Sequence, residues 1–363
     1  MTPRNISVWI LSVALLVSCM DDDALWDFEP ERFKEPGHGL FILNEGNFLY
    51  GNASLSRYDP VTGEVFNDLF FSNNQLPLGD VAQAMAIRDS LAFVVMNGSG
   101  KIQVMHAGTY AYVGKITGLT SPRHIHFVGD RKAYVTDLYA RAITVIDPVT
   151  FTITGSIDVN NHNPRFYQHP TDQMVQHDRY VFTNSWSFDN KILVIDTETD
   201  RLVDSIEVLK QPTSLVMDRF QKLWTVTDGG YEGNPYGYEA PGLIRIDAET
   251  RRVERIFRFE LGDRLSEIAI NGTGDTLYFI CRDIYRHAVL SETDPERFIP
   301  CSADGALSGG YYGLAVDPVT SEIYAADAID YVQRGVVYRF LPGGLPVDTF
   351  RVGINPGGFC FEP

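Results

Sequence analysis

A short β-hairpin pattern recurs along the chain and constrains its fold more than any other feature. In its clearest copy, residues 191–208 read KILVIDTETDRLVDSIEV: an apolar run from Ile192 to Ile195, a four-residue turn that begins at Asp196, and an alternating run from Leu202 to Val208. Aspartate favours such turns because its side chain accepts hydrogen bonds from the backbone just after it. The pattern therefore predicts two strands joined by a tight turn.

Six further segments resemble this hairpin, and their spacing predicts a repeat protein. They are SLSRYDPVTGEVFNDLF (54–70), KIQVMHAGTYAYVGKITG (101–118), AITVIDPVTFTITGSIDV (142–159), GLIRIDAETRRVERIFRF (242–259), the weaker RHAVLSETDPERFIPCS (286–302) and GVVYRFLPGGLPVDTFRV (335–352). A unit of this size cannot bury its own apolar face, so a period of roughly 40 to 55 residues indicates propeller blades. The Gly-His and Trp-Asp pairs of WD40 repeats do not recur here.

Two more strands precede each hairpin and complete four-stranded blades. Six of these strand pairs are continuous in sequence, whereas the seventh is split between GLFILNEG (39–46) and GGFCFEP (357–363). Pairing of the two segments removes the free edges that an open ring would expose. The sequence thus predicts an all-β fold, a seven-bladed β-propeller over residues 38–363, closed by pairing of strand 357–363 with the N-terminal blade.

The cysteines that follow Cys19 are expected to remain unpaired. Cys281 and Cys301 fall on different strands of one blade and Cys360 on another blade. Blade geometry keeps such positions farther apart than a disulfide tolerates. We therefore expect free, mostly buried thiols.

The N-terminal residues predict export and lipid attachment. Arg4 followed by an apolar run to Val17 is typical of a secretory signal, so residues 1–18 are predicted to be a signal peptide. Leu16 to Cys19 (LVSC) resembles the lipobox of bacterial lipoproteins, which makes Cys19 the predicted lipidated residue; an ordinary cleaved signal is the alternative. The acidic run MDDD (20–23) resembles the signal that sends Bacteroidetes lipoproteins to the outer face of the outer membrane, and a solvated linker is its alternative. Residues 19–37 are then a lipidated acidic tether.

The charge of the chain narrows the classes of partner. Its formal net charge is −17, and removal of residues 1–18 takes away one positive residue, Arg4, and no negative one, which leaves −18. Such acidity argues against nucleic acid and anionic lipid as partners.

The loops of the predicted propeller differ between its two faces. Short, repetitive turns such as DPVTG and DTETD occupy one face, which we call the short-turn face. Long, irregular, aromatic connections occupy the other, the long-loop face: 44–52, 159–172, 184–190, 227–242, 302–312 and 327–335. Long loops in a compact domain are usually functional, because they carry side chains on a rigid scaffold. The predicted ligand-binding residues are Asn163, Arg165, Phe166, Tyr167, Trp186, Tyr231, Asn234, Tyr236, Tyr238, Tyr311, Asp330 and Tyr331.

An Asn or Asp ends the second strand of every predicted blade. These residues are Asn44, Asn97, Asp137, Asn184, Asp228, Asp283 and Asp327. They are interpreted either as a polar ring around the central channel or, as we prefer, as residues that start turns through their own side chains.

The sequence contains only weak matches to motifs of catalysis and metal binding. His162, His169, His177 and Asp172 match no zinc spacing, and the repeated turn carboxylates supply too few oxygens for calcium. Glu232, Glu239 and Glu267 are candidates for a hydrolytic carboxylate pair with an Asp, without any sign in the sequence that two of them converge. The sequence predicts no catalytic residue, no bound metal and no cofactor.

Several motifs together resemble a known family. They are TDGGYEGNPYGYEAP (227–241), QPTSLVMD (211–218), NGTGDTLY (271–278) and YAADAIDYVQRGVVYR (324–339), supported by NEGNF (44–48) and LTSPRHIHFV (119–128). The chain resembles the YncE-like propellers, and specifically the BtuG-type surface lipoproteins of gut Bacteroidetes that capture vitamin B12 for a TonB-dependent outer-membrane transporter. The resemblance covers about residues 39–363.

The resemblance implies a non-catalytic propeller, lipid-anchored to the outer membrane and facing the cell exterior. It implies cobalamin or another corrinoid as ligand and a TonB-dependent transporter as partner. The wide aromatic loops agree with this, because a corrin ring is broad, carries amide arms and has little net charge. Two alternatives stay open: a metal-dependent lactonase or glycan hydrolase, and a propeller that binds glycan or protein at the cell surface.

Overall fold

The protein is known from a computed structural model, which describes residues 39–164, 169–301 and 309–363. The predicted signal peptide, lipidation site Cys19 and tether lie outside the described residues. Within them, no helix is long and apolar enough to cross a bilayer.

Twenty-eight strands and one short helix are present in the described part of the chain. Blades 1 to 3 contain β1 (Leu40–Asn44), β2 (Ser54–Tyr58), β3 (Val65–Phe66), then after α1 (Leu69–Asn74) β4 (Ala82–Arg88), β5 (Leu91–Met96), β6 (Lys101–His106), β7 (Tyr112–Thr117), and β8 (Pro122–Gly129), β9 (Lys132–Asp137), β10 (Ala142–Asp147), β11 (Thr152–Asp158). Blades 4 and 5 contain β12 (Thr171–His177), β13 (Tyr180–Ser185), β14 (Lys191–Asp196), β15 (Arg201–Glu207), and β16 (Pro212–Met217), β17 (Lys222–Thr227), β18 (Gly242–Asp247), β19 (Arg252–Arg258). Blades 6 and 7 contain β20 (Ser266–Ile270), β21 (Thr276–Cys281), β22 (Asp283–Ala288), β23 (Glu296–Ile299), and β24 (Gly313–Val316), β25 (Ile323–Asp327), β26 (Arg334–Phe340), β27 (Pro346–Ile354), and β28 (Pro356–Phe361) follows.

These strands form seven four-stranded antiparallel sheets arranged in a ring, as the repeats predict. The first strands of neighbouring blades contact one another around the central axis. The weak hairpin of blade 6 begins slightly earlier than its sequence indicates, at Asp283.

The hydrophobic core lies between the blades. Side chains alternate along a strand, so each middle strand packs against the two neighbouring blades. In β17, Leu223 packs toward blade 4 and Trp224 toward blade 6, and both are fully buried. Middle strands therefore read as continuous apolar runs, whereas the outer strand β15 is mostly exposed.

The ring closes between the two ends of the described chain, which confirms the prediction. Strand β28 pairs antiparallel with β1, so that Leu40 lies opposite Phe361 and Ile42 opposite Phe359. Arg57 Nε donates to Glu362 Oε1 at 2.8 Å, and both side chains are nearly buried. Gly39 N also donates to Glu362 Oε2 at 2.9 Å. Closure thus combines backbone pairing with a buried ion pair.

The remaining cysteines are free thiols in the structure. Cys281 is buried, and Cys301 and Cys360 are partly buried. Burial raises the pKa of the Cys281 and Cys360 thiols to about 12, so both are protonated at neutral pH.

Candidate functional site

A ring of side chains at the start of the first strands surrounds one end of the central channel. In six blades the register between the first and second strands shifts by one residue near this end, for example between Ala82 and Ala84 and between Pro212 and Ser214. Such bulges re-aim a side chain away from the sheet. In blade 7, Tyr312 immediately precedes β24, and its N–H donates to Ala326 O at 2.7 Å. Around the ring, from blade 1 to blade 7, the corresponding residues are Gly357, Gln83, Arg123, Asp172, Thr213, Glu267 and Tyr312.

The glycine in this ring makes room for a carboxylate from the next strand. A Cβ atom on Gly357 would lie 2.3 Å from Oε1 of Glu45, which follows β1. A side chain at position 357 would displace the Glu45 carboxylate. Glu45 therefore occupies the ring position that Gly357 leaves open.

Arg123 and Asp172 are neighbours in the ring and form an ion pair. Arg123 Nε donates to Asp172 Oδ1 at 3.0 Å and Nη2 donates to Oδ2 at 3.3 Å, while Nη1 donates to Gln83 Oε1 at 2.6 Å. His124 Nε2 lies 3.3 Å from Asp172 Oδ1. Burial alone would raise the pKa of Asp172, but the charge of Arg123 and the hydrogen bond from His124 outweigh it and hold the pKa well below its usual range. Asp172 is thus a paired carboxylate.

Glu267 lies across the ring from this pair, and its pKa is raised whereas that of Asp172 is lowered. Its backbone has φ 51, the left-handed region that non-glycine residues seldom adopt. Burial first, and then the charges of Asp172 and Glu45, raise the pKa of Glu267 to about 8. Although part of the side chain contacts the channel space, protein surrounds it closely. At neutral pH the carboxyl is therefore mostly protonated.

Glu45 is bound to the aromatic member of the ring. Tyr312 Oη donates to Glu45 Oε2 at 2.7 Å. Burial raises the pKa of Glu45 and, together with the charge of Glu45, that of Tyr312. Tyr331 packs edge-on against Tyr312 with ring centroids 5.7 Å apart. This contact joins the ring to the long loop of blade 7.

The ring encloses a polar cavity of about 550 Å³ that opens on the long-loop face. Its wall includes all the ring residues, with Glu45, Asn97, Trp186, Asp228, Arg264 and Tyr311. A smaller space of about 190 Å³, lined in part by His124, Gln173 and Glu267, lies farther along the channel. The Arg123 guanidinium is 5.3 Å from the centre of the Trp186 ring, which stacks an aromatic group on the ion pair.

Aromatic side chains also project from the long loops around this cavity. Among the described residues, five strongly exposed aromatic side chains occupy loops between second and third strands, with exposed fractions from 42% to 79%: Phe48, Tyr50, Tyr139, Tyr231 and Tyr331. Because these loops all end on one face, the polar cavity is surrounded by apolar area. We call this area the aromatic rim.

The structure brings some of the predicted binding residues together and leaves others apart. Trp186 and Tyr311 line the cavity, and Tyr331 contacts the ring through Tyr312. Asn163 is exposed in the loop before β12. The predicted residues Arg165, Phe166 and Tyr167 lie outside the described residues.

Four predicted residues lie in the loop between β17 and β18. Tyr231 is exposed, and Tyr236 packs against Phe188 at 5.1 Å between ring centroids. Tyr238 is partly buried beside Gly262. Asn234 is buried: its Nδ2 donates to Gln211 Oε1 at 3.3 Å and its Oδ1 accepts from Tyr236 N at 2.9 Å. Asn234 therefore shapes the loop.

Asp330 is also engaged within its own loop. Its Oδ1 accepts from Val332 N at 3.0 Å and from Gln333 N at 2.8 Å, and its Oδ2 accepts from Gln333 Nε2 at 2.8 Å. These bonds lower the pKa of Asp330. The carboxylate thus holds the turn that positions Tyr331.

The Asn and Asp residues that end the second strands are interpreted either as turn-starting residues or as a polar ring around the channel, and the structure contains examples of both. Asp137, Asp228 and Asp327 accept hydrogen bonds from backbone N–H groups two residues on, which is the expected turn geometry. Asn97 and Asn184 instead donate to carbonyl groups of the next blade, Pro122 O and Pro212 O. Asp228 also faces the cavity, and burial raises its pKa to about 6.

Sequence reasoning missed most of the ring. In the sequence, Asp172 and Glu267 are candidates only for a metal cluster or a carboxylate pair, and no prediction includes Arg123, Gln83, Thr213 or Tyr312. A signal was present, because each first strand opens with the same pattern, a small residue, Pro or Tyr before the ring residue: AQ, PR, TD, PT, SE, YY and PG. Of the histidines grouped with Asp172 in the sequence, His169 lies outside the ring, and its Nδ1 pairs with Asp189 Oδ2 at 2.5 Å. Among the described residues, no three His, Cys, Asp or Glu side chains are placed to hold a metal ion.

Fold and site together define a seven-bladed propeller with a polar, aromatic-rimmed cavity at one end of its channel. The chain matches the family described as "Domain of unknown function (DUF5074)" over residues 38–338. It belongs to that family. No curated protein matches the chain in sequence.

Solved structures with a similar fold come from functionally diverse proteins. A quinonprotein alcohol dehydrogenase-like protein of Bacteroides thetaiotaomicron has a TM-score of 0.67 at 13% identity, covering 91% of this chain and 80% of that chain. The periplasmic gluconolactonase of Pseudomonas aeruginosa has a TM-score of 0.64 at 13% identity, covering 89% of this chain and 99% of that chain. Hydrazine synthase of Kuenenia stuttgartiensis has a TM-score of 0.63 at 14% identity, covering 76% and 88%. At these identities the likeness shows the fold alone.

Proposed function

We propose that this protein is a non-catalytic, lipid-anchored surface protein that captures a corrinoid such as cobalamin and passes it to a TonB-dependent outer-membrane transporter. The observation that carries the proposal is the aromatic rim around a polar cavity on the long-loop face. Aromatic rings supply contact area at low entropic cost, and the cavity supplies convergent donors and acceptors.

A corrinoid suits both parts of this surface. The macrocycle is too broad for a cavity of about 550 Å³ and would rest on the rim. Its amide arms are uncharged, and the ring residues offer both donors, such as Gln83 and Arg123, and acceptors, such as Glu45. Binding of this kind needs shape and hydrogen bonds more than net charge.

The described chain begins on the face opposite the cavity. Strand β1 runs from Leu40, opposite Tyr58 at the start of a short turn, to Asn44 at the long-loop face. The described chain therefore begins at Gly39 on the short-turn face.

The test is calorimetric titration of residues 24–363, which retain the whole closed ring, with cyanocobalamin in the presence and absence of EDTA. We expect binding near one to one that is insensitive to the chelator. Trp186→Ala and Tyr236→Ala should each weaken it, the former by about tenfold or more, because it removes a ring stacked on Arg123. Tyr112→Ala, in the outer strand β7, is the matched control and should bind normally. Absence of binding at high micromolar cyanocobalamin would contradict the proposal.

One observation favours a second candidate, hydrolysis of a lactone or glycan. The cavity holds one carboxyl whose pKa is raised, Glu267, and one whose pKa is lowered, Asp172. Such a separation is what a general acid and a general base require. Turnover of chromogenic glycosides or of lactones, abolished by Glu267→Gln, would support this candidate; no turnover with any of them would count against it.

A further inference from the structure

Glu267 is the ring residue whose polar group has no partner among the described residues. Its two neighbours in the ring are Thr213 and Tyr312. Thr213 Oγ1 donates to the carbonyl groups of Val226 and Leu265, and Tyr312 Oη donates to Glu45. Neither hydroxyl is left to donate to Glu267. The carboxyl therefore faces the cavity with its hydrogen-bonding capacity unused.

The backbone shows that this orientation is imposed by the fold. Two residues, Glu267 and Ile268, stand opposite one residue of β21, because the register shifts between Ser266 and Ala269. Glu267 adopts φ 51 to accommodate the extra residue. Holding a non-glycine residue there costs roughly 1 kcal/mol or more. The bulge aims the carboxyl into both parts of the channel space.

A neutral carboxyl group has a natural partner in a primary carboxamide. The protonated carboxyl donates one hydrogen bond through its O–H and accepts through its carbonyl oxygen, whereas a primary amide accepts through oxygen and donates through nitrogen. The two groups can therefore form a pair of reciprocal hydrogen bonds. A carboxylate ligand group would instead meet Asp172 and Glu45, which already disfavour a further negative charge.

Resting on the corrinoid capture proposed above, we infer that the central cavity receives one primary carboxamide arm of the ligand and that Glu267 is the residue that pairs with it. The aromatic rim then contacts the macrocycle, and the residues around the channel distinguish an amide arm from a carboxylic acid arm. The ligand class that follows is a corrinoid with intact amide arms, in preference to one whose inserted arm is a carboxylic acid. Gln83, Arg123 and Glu45 supply the further polar contacts within the cavity.

The inference makes binding depend on pH in one direction. The titratable groups that surround Glu267 are Asp172, Arg123 and His124 from the opposite side of the ring, Glu45 and Tyr312 beside it, and Asp228 and Arg264 from the cavity wall. Burial and the neighbouring carboxylates raise the pKa of Glu267 to about 8, so the carboxyl is neutral below that pH and ionised above it. Because the amide pair needs the neutral form, affinity should fall by up to about tenfold per pH unit above pH 8.

The experiment is titration of residues 24–363 with cyanocobalamin between pH 6 and 9.5, using wild type, Glu267→Gln, Glu267→Ala and the control Glu249→Gln in an exposed turn of the short-turn face. Glutamine keeps a donor and an acceptor and does not titrate. Glu267→Gln should therefore bind at pH 7 within about threefold of wild type and lose the decline above pH 8. Glu267→Ala should bind about tenfold more weakly at pH 7, since a hydrogen-bonded pair is lost. Glu249→Gln should follow wild type at every pH, and thermal melts check that each variant is folded.

A second ligand tests the chemical class directly. Cyanocobalamin monocarboxylic acids, in which one amide arm is hydrolysed, should include an isomer that binds wild type at least tenfold more weakly than cyanocobalamin. Affinity that rises with pH would show that the cavity holds a cationic group, which would overturn the inference. Normal binding by Glu267→Ala, or equal affinity for every monocarboxylic acid, would overturn it while leaving corrinoid capture in place. No binding of cyanocobalamin by any variant would instead overturn the capture proposal itself.

Discussion

Two carboxylates of the short-turn face have lowered pKa values, whereas two carboxyl groups at the channel mouth have raised ones. On the short-turn face, Asp147 accepts from Val149 N and from Arg131, and Asp247 accepts from Thr250 and Lys222. These hydrogen bonds lower the pKa of both groups. At the channel mouth, burial raises the pKa of Asp228 and Glu267.

This difference indicates which face of the propeller keeps side chains available to bind a ligand. A turn carboxylate that accepts backbone and basic donors has completed its role in the fold. Glu267, held neutral at the edge of the cavity, has hydrogen-bonding capacity that no described residue uses, at a cost in stability. The short-turn face is therefore structural, and the channel mouth is the candidate site.

Removal of strand β28, which closes the ring, should have the largest effect on stability. Deletion of residues 357–363 takes away most of β28, leaving β1 with a free edge and Arg57 without Glu362. We expect loss of cooperative unfolding and aggregation, measured by circular dichroism melts and size-exclusion chromatography. Deletion of the exposed Pro363 alone is the control and should behave as wild type. A monomeric, cooperatively folded product of the longer deletion would show that closure is dispensable.

Two similar ion pairs, one near each face, allow the stability contributed at the two faces to be compared directly. Arg123 with Asp172 lies at the channel mouth, and Arg339 with Glu322 lies near the short-turn face, where Nη2 is 2.8 Å from Oε2. Arg123→Met and Arg339→Met should each lower the free energy of unfolding by about 3 kcal/mol, because a buried carboxylate loses its partner. Urea titrations measure this loss.

Binding should separate the same two variants. Arg123→Met should abolish or greatly weaken the binding of cyanocobalamin, since it removes a cavity donor and the cation stacked on Trp186. Arg339→Met, assayed under conditions where both are folded, should bind as wild type does. Equal loss of affinity in both would mean that stability, and not position, governs binding.

The raised pKa of Glu267 predicts a pH-dependent cost to stability. Between its ordinary value of 4.5 and about 8, the unfolded chain ionises Glu267 while the folded protein keeps the carboxyl neutral. The folded state then binds more protons, so this residue makes stability fall as pH rises through that window. Asp172 acts in the opposite sense, because its lowered pKa contributes stability that is lost in acid.

Urea unfolding of wild type and Glu267→Gln at pH 5 and pH 8 measures this cost. Relative to wild type, the glutamine variant should gain about 2 kcal/mol between the two pH values, less than the full one-proton slope of about 1.4 kcal/mol per pH unit, because channel water screens the charge. Glu249→Gln should show no such gain. Stability curves for Glu267→Gln that run parallel to wild type would contradict the assignment.

The smallest effect should come from two equally exposed aromatic residues. Tyr231 on the aromatic rim is 43% exposed and Phe220 on the short-turn face is 42% exposed. Replacement of either by Ala should change the free energy of unfolding by no more than about 0.5 kcal/mol. Tyr231→Ala should weaken cyanocobalamin binding by about fivefold, or roughly 1 kcal/mol, and Phe220→Ala should leave it unchanged. Titration calorimetry distinguishes the two, and an equal response would remove the rim from the site.

Much of this architecture is predictable because it depends on local rules. Alternating apolar residues predict the strands, Asp at turn starts predicts the hairpins, and the split of one strand pair between 39–46 and 357–363 predicts the closure. The long aromatic loops likewise identify the face with the cavity. Trp186, Tyr311 and Tyr331 are predicted in this way, and in the structure they lie at the cavity or against its wall.

The ring residues were harder to find because they depend on the register of paired strands. A bulge turns Gln83, Asp172 and Glu267 toward the axis, although simple alternation along their strands does not single them out. Asn234 and Asp330 were chosen as loop residues, yet their side chains bond to their own loops or to Gln211. The sequence shows which residues are polar, but only the hydrogen bonds of the folded protein show which polar groups remain available to a ligand.

By itself, the sequence determined the number of blades, the way the ring closes and the face that carries the long loops, because hairpin period, turn chemistry and strand alternation are local properties. Only the tertiary structure decided that Glu45, Arg123, Asp172 and Glu267 meet at one mouth of the channel and that their pKa values diverge. Those properties arise from closing the ring, which brings residues from distant blades into one space where each charge acts on the others.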